Sequence, residues 1–435
     1  MKIKTKQLSY EQVMALPRPK SRKPLRPNII LRTIMRIASL WDLLPARFSY
    51  TESRMELAQG PCLVLMNHSS FIDLEIAQKV LYPRPVNIVC TSDGFVGGFR
   101  GMNLLMRLIG CIPTQKFVTD ISLIGDMRYA LEELGDTVLM YPEASYSFDG
   151  CATPLPRKLG VLLKKLNVPV VTIITEGAFS RDPLYNCLQK RKVKVSAHVS
   201  CLLTKEELKE KSVAEIDALL DEAFSFDNFR WQQENNIEIK EPFRADGLHR
   251  ILYKCAHCGT EGEMHGEGIT LTCRHCGKQY ELTPFGKLEA KDGETEFPHI
   301  PDWFKWEREQ VKQEIMDGKY LLDTDVEIGM LVDYRAIYMV GSGHLTHDNM
   351  GFRLTGCDGK LEYTQPPTAC YGLYSDYYWY EIGDVICFGN RDRLYYCFPK
   401  GETPVAKTRF AAEELYKLYK SRVLTLPKGE AAQES

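Results

Sequence analysis

The sequence predicts an α/β protein followed by two smaller units, and three observations carry that prediction. Short apolar runs alternate with amphipathic helical stretches between about 60 and 200. Two Cys-x2-Cys pairs fall at 255–258 and 273–276. Seven short β-rich runs and a closing amphipathic stretch occupy the region after 300. At 435 residues the chain exceeds one ordinary core, so two or three domains are expected. Its 44% hydrophobic and 26% charged content fits a soluble or peripheral globular protein. The expected divisions are a basic segment with an amphipathic helix at 1–45, an α/β domain at 46–230, a metal-binding ribbon at 250–285 and a β-rich domain at 300–425.

The formal charge is −2, which gives no global attraction to nucleic acid, but the charge is uneven. Residues 1–40 hold ten Lys or Arg against one acid, Glu11. Such a segment is drawn to a polyanionic surface or is simply a solvated basic tail. Pro17, Pro19, Pro24 and Pro27 argue against regular structure before residue 28. From Asn28 to Leu44 the pattern turns helical, with Ile30, Ile37 and Trp41 apolar and Arg32 and Arg36 sharing a face. That helix lies in a membrane surface or packs on the next domain. No apolar run reaches the ~18–20 residues that span a bilayer, and no signal peptide is expected.

Within the α/β region, strands are expected at 62–66, 86–90, 137–141, 169–174 and 193–199. Helices are expected at 72–81, 99–108, 120–134, 157–166 and 204–223. Polar clusters follow three of these elements, and ligands of open α/β sheets gather beyond the strands' carboxyl ends. The first is Asn67-His68-Ser69-Ser70-Phe71-Ile72-Asp73. A histidine and an aspartate five apart do not face each other within a helix. They meet if His68 lies in a turn and Asp73 in the first helical turn, with Ser69 or Ser70 as N-cap. The second cluster runs from Gly110 to Lys116, the third from Tyr141 to Ser147, and Asn167-Val168-Pro169-Val170 opens a further strand.

The order and spacing of these four elements resemble the glycerolipid acyltransferases, the lysophosphatidic acid acyltransferase superfamily, over about 60–200. Asn67, His68 and Asp73 match the N-H-x4-D motif completely. Gly110, Ile112 and Pro113 match the second motif, with Lys116 where arginine is usual. Tyr141, Pro142, Glu143 and Ser145 match the third, with Ala144 in place of glycine. Val168-Pro169-Val170 keeps part of the fourth, with Thr172 where a proline is usual. The resemblance implies a mixed sheet flanked by helices and transfer of a fatty acyl group to a lysophospholipid hydroxyl. The donor would be acyl-CoA or acyl-carrier protein.

A thioester is already activated, so such a transfer needs a general base and oxyanion stabilisation rather than a covalent nucleophile. His68 would be the base, and Asp73 would fix its tautomer and stabilise the imidazolium. Asn67, Gly110, Lys116, Glu143 and Ser145 are the expected substrate-binding residues. Lys116 would hold a phosphate as a point charge, and Glu143 would orient the acceptor's head. Helix capping is the simpler role for Ser69 and Ser145. Alanine at 144 requires a backbone angle it tolerates or a rearranged loop. The departures in the second and third motifs support an alternative, a non-catalytic lipid-binding or scaffold protein.

Cys255, Cys258, Cys273 and Cys276, with fourteen residues between the pairs, would place four thiolates around one structural zinc. Disulfides or a redox pair are the alternative, and the ten scattered cysteines read as reduced, buried thiols of a cytoplasmic chain. Acids in the ribbon offset its basic residues, so no nucleic-acid partner is expected. Residues 286–300 read as a linker and 300–320 as helix. Seven runs between 327 and 398, with Gly389–Asp392 as a hairpin turn and a helix at 408–422, resemble a pleckstrin-homology-like barrel. The expected setting is the inner face of a membrane, peripherally bound.

Overall fold

The computed structural model describes residues 3–19, 22–97, 99, 101–118, 120–156, 159–401 and 404–425. The N-terminal stretch forms strand β1 (Thr5–Gln7), helix α1 (Tyr10–Met14) and helix α2 (Ile29–Leu43). Order before residue 28 corrects the expectation of an irregular tail. Helix α1 forms because Ser9 and Gln12 cap it reciprocally, side chain to backbone in both directions. The four prolines do fall in the irregular stretch between α1 and α2. Arg26 fastens that stretch to the next domain through Asp136 at 2.8 Å.

The α/β domain runs β2 (Ser49–Ser53), β3 (Leu63–Met66), α3 (Asp73–Leu81), β4 (Val86–Thr91), α4 (Met102–Leu108) and β5 (Cys111–Thr114). It continues with α5 (Ile121–Glu132), β6 (Thr137–Met140), α6 (Leu159–Leu166), β7 (Val170–Glu176), α7 (Ala178–Arg181) and β8 (Ser196–Leu203). The sheet order is β2-β8-β7-β3-β6-β4-β5, parallel throughout except that β8 runs antiparallel to β7. The central strands are covered on both faces, which is why they read as predominantly apolar runs. Val64 and Met66 face one apolar cluster, and Leu63 and Leu65 the other.

Three differences from the sequence reading have local causes. The cluster after Gly110 is the edge strand β5, whose four residues are too short and too mixed to announce themselves. The helix expected at 204–223 is two, α8 (Lys205–Glu210) and α9 (Val213–Ala223), because Thr204 with Glu207 and Ser212 with Glu215 each build a capping box. Strand β8 starts three residues later than expected and runs to Leu203, following its ladder with β7.

After α10 (Asn228–Glu234) come the ribbon strands β9 (Met264–Glu267), β10 (Thr270–Cys273), β11 (Gln279–Leu282) and β12 (Leu288–Ala290), in the order β12-β11-β10-β9. Strand β12 lies inside the expected linker and pairs with β11. Helix α11 (Ile300–Met316) leads to β13 (Leu322–Leu331), β14 (Ile337–Asp348), β15 (Gly351–Gly356) and β16 (Leu361–Gln365). Strands β17 (Tyr374–Trp379), β18 (Gly383–Asn390) and β19 (Arg393–Pro399) and helix α12 (Val405–Lys420) complete the described chain. The sheet order is β16-β15-β14-β13-β19-β18-β17, with β1 added in parallel beside β14. Among the described residues no ladder joins β16 to β17, so the strand count and the closing helix are all that match a pleckstrin-homology-like barrel. One apolar cluster runs from Phe148 and Phe179 of the α/β domain through Tyr280 of the ribbon to Trp303, Ile328 and Phe410.

Candidate active site

The site lies at the carboxyl end of β3, between β7 and β6, where the chain leaves a buried strand for a helix. Asp73 is the first residue of α3 and is fully buried. Its Oδ2 accepts the backbone N–H groups of Ser69 at 2.8 Å and Ser70 at 3.0 Å and contacts His68 Nδ1 at 3.1 Å. A carboxylate can only accept, so Nδ1 carries the proton and Nε2 offers its lone pair. No hydrogen bond engages Nε2 among the described residues. The helix is therefore entered without a serine N-cap: Ile72 holds that position, and Asp73 itself ties back the turn. Ser70 Oγ instead donates to Asp182.

His68 is held from three further sides. Its ring stacks between Tyr146, 3.7 Å away centre to centre, and Tyr141 at 4.0 Å. Its N–H donates to Glu143 Oε2 at 3.1 Å, and its carbonyl accepts from Ser147 N at 2.9 Å. The other Glu143 oxygen accepts Thr153 N at 2.9 Å. Both carboxylate oxygens are thus bound to backbone, and Glu143 fastens the third motif to the histidine turn. Asn67 is also buried and engaged: Nδ2 donates to Ser69 Oγ and Thr175 O, and Oδ1 accepts Thr175 N and Oγ1. It latches the turn to β7. Gly110 has φ +91°, and a Cβ there would lie 2.5 Å from Pro27 Cγ, so its role in the turn into β5 is steric.

The C-terminal domain roofs this floor, which no local pattern in the sequence announces. Lys116 Nζ lies 4.2 Å from the Tyr374 ring centre and 5.9 Å from that of Tyr146. Arg409 of α12 donates through its guanidinium to Ser145 Oγ at 2.8 Å and through Nε to Glu413 at 3.1 Å. Arg409 also stands 4.5 Å over Phe148. Tyr374 donates to Asp93 Oδ2 at 2.6 Å.

Burial dominates the electrostatics here. It lowers the His68 pKa well below the usual 6.5, helped by the positive charge of Lys116. It pushes Asp73 up to about 7 against the pull of its two amide donors, Glu143 up to about 8, and Asp376 up to about 7 despite Lys116. Lys116 itself is lowered by burial, partly offset by Asp376 and Asp93. The neutral imidazole is therefore the resting form, with a free lone pair and an orienting carboxyl: the equipment of a general base.

Residues 47–176 match the family model described as Acyltransferase. The matched segment contains His68, Asp73, Lys116, Glu143 and Ser145. The chain is also 26% identical over 146 residues to human 1-acyl-sn-glycerol-3-phosphate acyltransferase beta, covering 33% of this chain and 50% of that protein. It therefore spans about half the length of that relative. A crystal structure of the 1-acyl-sn-glycerophosphate (LPA) acyltransferase PlsC from Thermotoga maritima aligns at 15% identity and a TM-score of 0.31, over 45% of this chain and 80% of that one.

The four expected metal ligands converge outside the matched segment. Their sulfurs all lie within 4.8 Å of one another, with Cys255–Cys276 at 3.9 Å and Cys258–Cys273 at 3.8 Å. The edge of a tetrahedron with zinc–sulfur bonds of ~2.3 Å is ~3.8 Å, so the cluster fits that ion. The described residues include no helix long and apolar enough to cross a membrane.

Proposed function

We propose that this protein is an O-acyltransferase of the 1-acylglycerol-3-phosphate type, moving a fatty acyl group from a thioester donor to a lysophospholipid hydroxyl. The observation that carries the reading is the His68–Asp73 contact, which leaves Nε2 free at the end of the central strand. In the reaction, Nε2 takes the proton of the acceptor hydroxyl as its oxygen attacks the thioester carbonyl. Asp73 stabilises the imidazolium that forms. The tetrahedral intermediate then expels the thiolate, which takes the proton back from Nε2, leaving an ester and a free thiol. Lys116 and Arg409 flank the chamber and are suited to the acceptor's phosphate, with Ser145 held by Arg409.

His68→Ala removes the base and is expected to lower transfer from a radiolabelled acyl donor by ~10²–10⁴-fold while the circular dichroism spectrum and melting temperature hold. Undiminished transfer in that variant would sink the mechanism. A non-catalytic lipid-binding protein would instead bind liposomes without turnover for any donor.

In the same reading the protein works at a membrane surface. Helix α2 packs on the domain through Ser39 and Leu43 and turns Ile29, Ile34, Ile37 and Trp41 outward, Trp41 being 86% exposed. Phe71 and Leu74, beside the catalytic pair, are exposed too. An apolar face of this size on a helix too short to span a bilayer suits the lipid interface that holds the acceptor. The four cysteines hold a structural zinc, with no open coordination position for chemistry.

A further inference from the structure

A cleft of about 890 Å³ opens beside the catalytic chamber, at the carboxyl ends of β4 and β5, and nothing above assigns it. Ser92, Thr114 and Gln115 form its floor, whereas His68, Lys116 and Tyr146 are not among its walls. The cleft therefore ends one residue short of Lys116, which stands over the rings of Tyr374 and Tyr146. Its outer walls come from outside the sheet: Arg18, Arg22 and Lys23 of the N-terminal strap, Arg107 of α4, and Arg335 and Arg391 of the C-terminal domain.

Three of these cations are committed to acids. Arg18 pairs with Asp392 at 2.8 Å, Arg391 lies 3.8 Å from Asp120, and Arg335 lies 3.9 Å from Asp333. The other three form no ion pair among the described residues. Lys23 rests over the Tyr129 ring at 4.3 Å, and Arg107 donates to the Lys23 carbonyl at 3.2 Å, which clusters the two charges. Arg22 is exposed on the same wall. Gln115 Oε1, on the floor, is buried with no hydrogen-bond partner. Asp120, Asp126, Asp333 and Asp392 line the cleft as well, Asp126 without an ion pair among the described residues, so six cations face four acids. The site thus combines an excess of positive charge, room for more than one phosphate, and an unpartnered acceptor atom next to Lys116 in the chain.

We infer that this cleft binds the phosphorylated nucleotide of acyl-CoA, with the pantetheine arm passing Gln115 to bring the thioester to His68. The inference rests on the acyltransferase reading and chooses between its two donors. Phosphate is common to donor and acceptor, and geometry separates them. The acceptor's reacting hydroxyl lies only a few bonds from its phosphate, so that phosphate stays within the chamber of Lys116 and Arg409. The donor's phosphates lie a full pantetheine arm away from the thioester, which suits cations set outside the chamber. Multiple charge-assisted contacts to phosphate favour arginine in such a place.

The test uses the full chain and the nucleotide alone. Calorimetric titration with adenosine 3′-phosphate 5′-diphosphate, which lacks the pantetheine arm, is expected to show saturable binding that weakens as salt rises. The variants Arg22→Gln/Lys23→Gln, at exposed positions, and Arg107→Gln, at a half-buried one, are expected to weaken it about tenfold or more. In turnover, the same variants raise KM for acyl-CoA but leave transfer from S-acyl-pantetheine, which carries no nucleotide, unchanged. A merely structural role would slow both donors alike. Absent nucleotide binding, equal binding by the variants, or displacement of the nucleotide by lysophosphatidate each overturns the assignment. Failure of all acyl transfer would refute the enzymatic reading while leaving the binding result to stand by itself.

Discussion

At His68, one oxygen of Asp73 does three jobs, holding two amides and the imidazole, while the other is buried without a partner. Burial raises this carboxyl from 3.8 to about 7, so between those values the folded chain keeps a proton that the unfolded chain has released. That contribution is unfavourable to folding as pH rises through the window, the opposite of a salt-bridged aspartate. In the proposed mechanism the sign also runs one way: protonating Asp73 would remove the charge that stabilises the imidazolium. We expect kcat/KM to fall as pH drops through about 7. Asp73→Asn should be slow at every pH and lack this limb; a limb unchanged in that variant would assign it elsewhere. The low pKa of His68 places its own protonation further into acid. Ala144 is a second residue-scale case. It sits at φ +56°, in the left-handed region, where glycine is usual in the motif it resembles. A left-handed non-glycine residue costs ~1–2 kcal/mol, part of which glycine returns through a freer unfolded chain. Ala144→Gly should therefore raise stability by up to ~1 kcal/mol, read as a higher urea midpoint at unchanged slope.

Among the elements, strands buried on both faces were the most legible, since β3, β4, β6 and β7 need predominantly apolar runs, broken only by residues such as Asn87 and Thr172. The turn after β3 was equally readable, because His68 and Asp73 interact across five residues. The edge strand β5 and the parallel addition of β1 to β14 were not, because short strands take their identity from distant partners. The same reason hid Arg409, Tyr374 and Asp376: Arg409 meets Ser145 across 264 residues, and no spacing rule reaches that far. Asn67, Gly110 and Glu143 were legible as important but are built into the frame of the site. Helix α2 was readable as amphipathic, yet its outward apolar face was decided by packing. Its exposure makes a prediction at this scale. Ile37→Glu with Trp41→Glu should weaken flotation with anionic liposomes by tenfold or more, since each buried apolar side chain is worth ~1.5–3 kcal/mol. Turnover of a dispersed short-chain acceptor should be spared. Equal flotation of both proteins would place the membrane contact elsewhere.

In the whole molecule, the ribbon is a structural joint between the α/β domain and its roof. Trp303 of α11 donates to Lys254 O at 3.0 Å, just before the first cysteine pair. Lys254 pairs with Glu261 at 3.1 Å and Glu314 at 3.4 Å, and Lys407 of α12 pairs with the same two acids at 2.7 and 2.8 Å. Two residues further along α12, Arg409 reaches Ser145 beside the catalytic turn. Cysteine cluster, ribbon, α11, α12 and Ser145 thus form one chain of contacts. A zinc held by four thiolates contributes its binding energy to folding. Elemental analysis should find one zinc per chain. Removing it by a strong chelator, or by Cys258→Ser, should lower the melting temperature of the entire molecule in a single transition. Acyl transfer should fall with it, although the four ribbon cysteines lie outside the chamber, because α12 loses its support. Re-adding zinc to the chelated wild type should restore both, and Cys258→Ser should not recover. A metal-free protein with unchanged melting and unchanged turnover would refute the joint. Lost stability with intact transfer would leave the ribbon a stabiliser and detach it from the site.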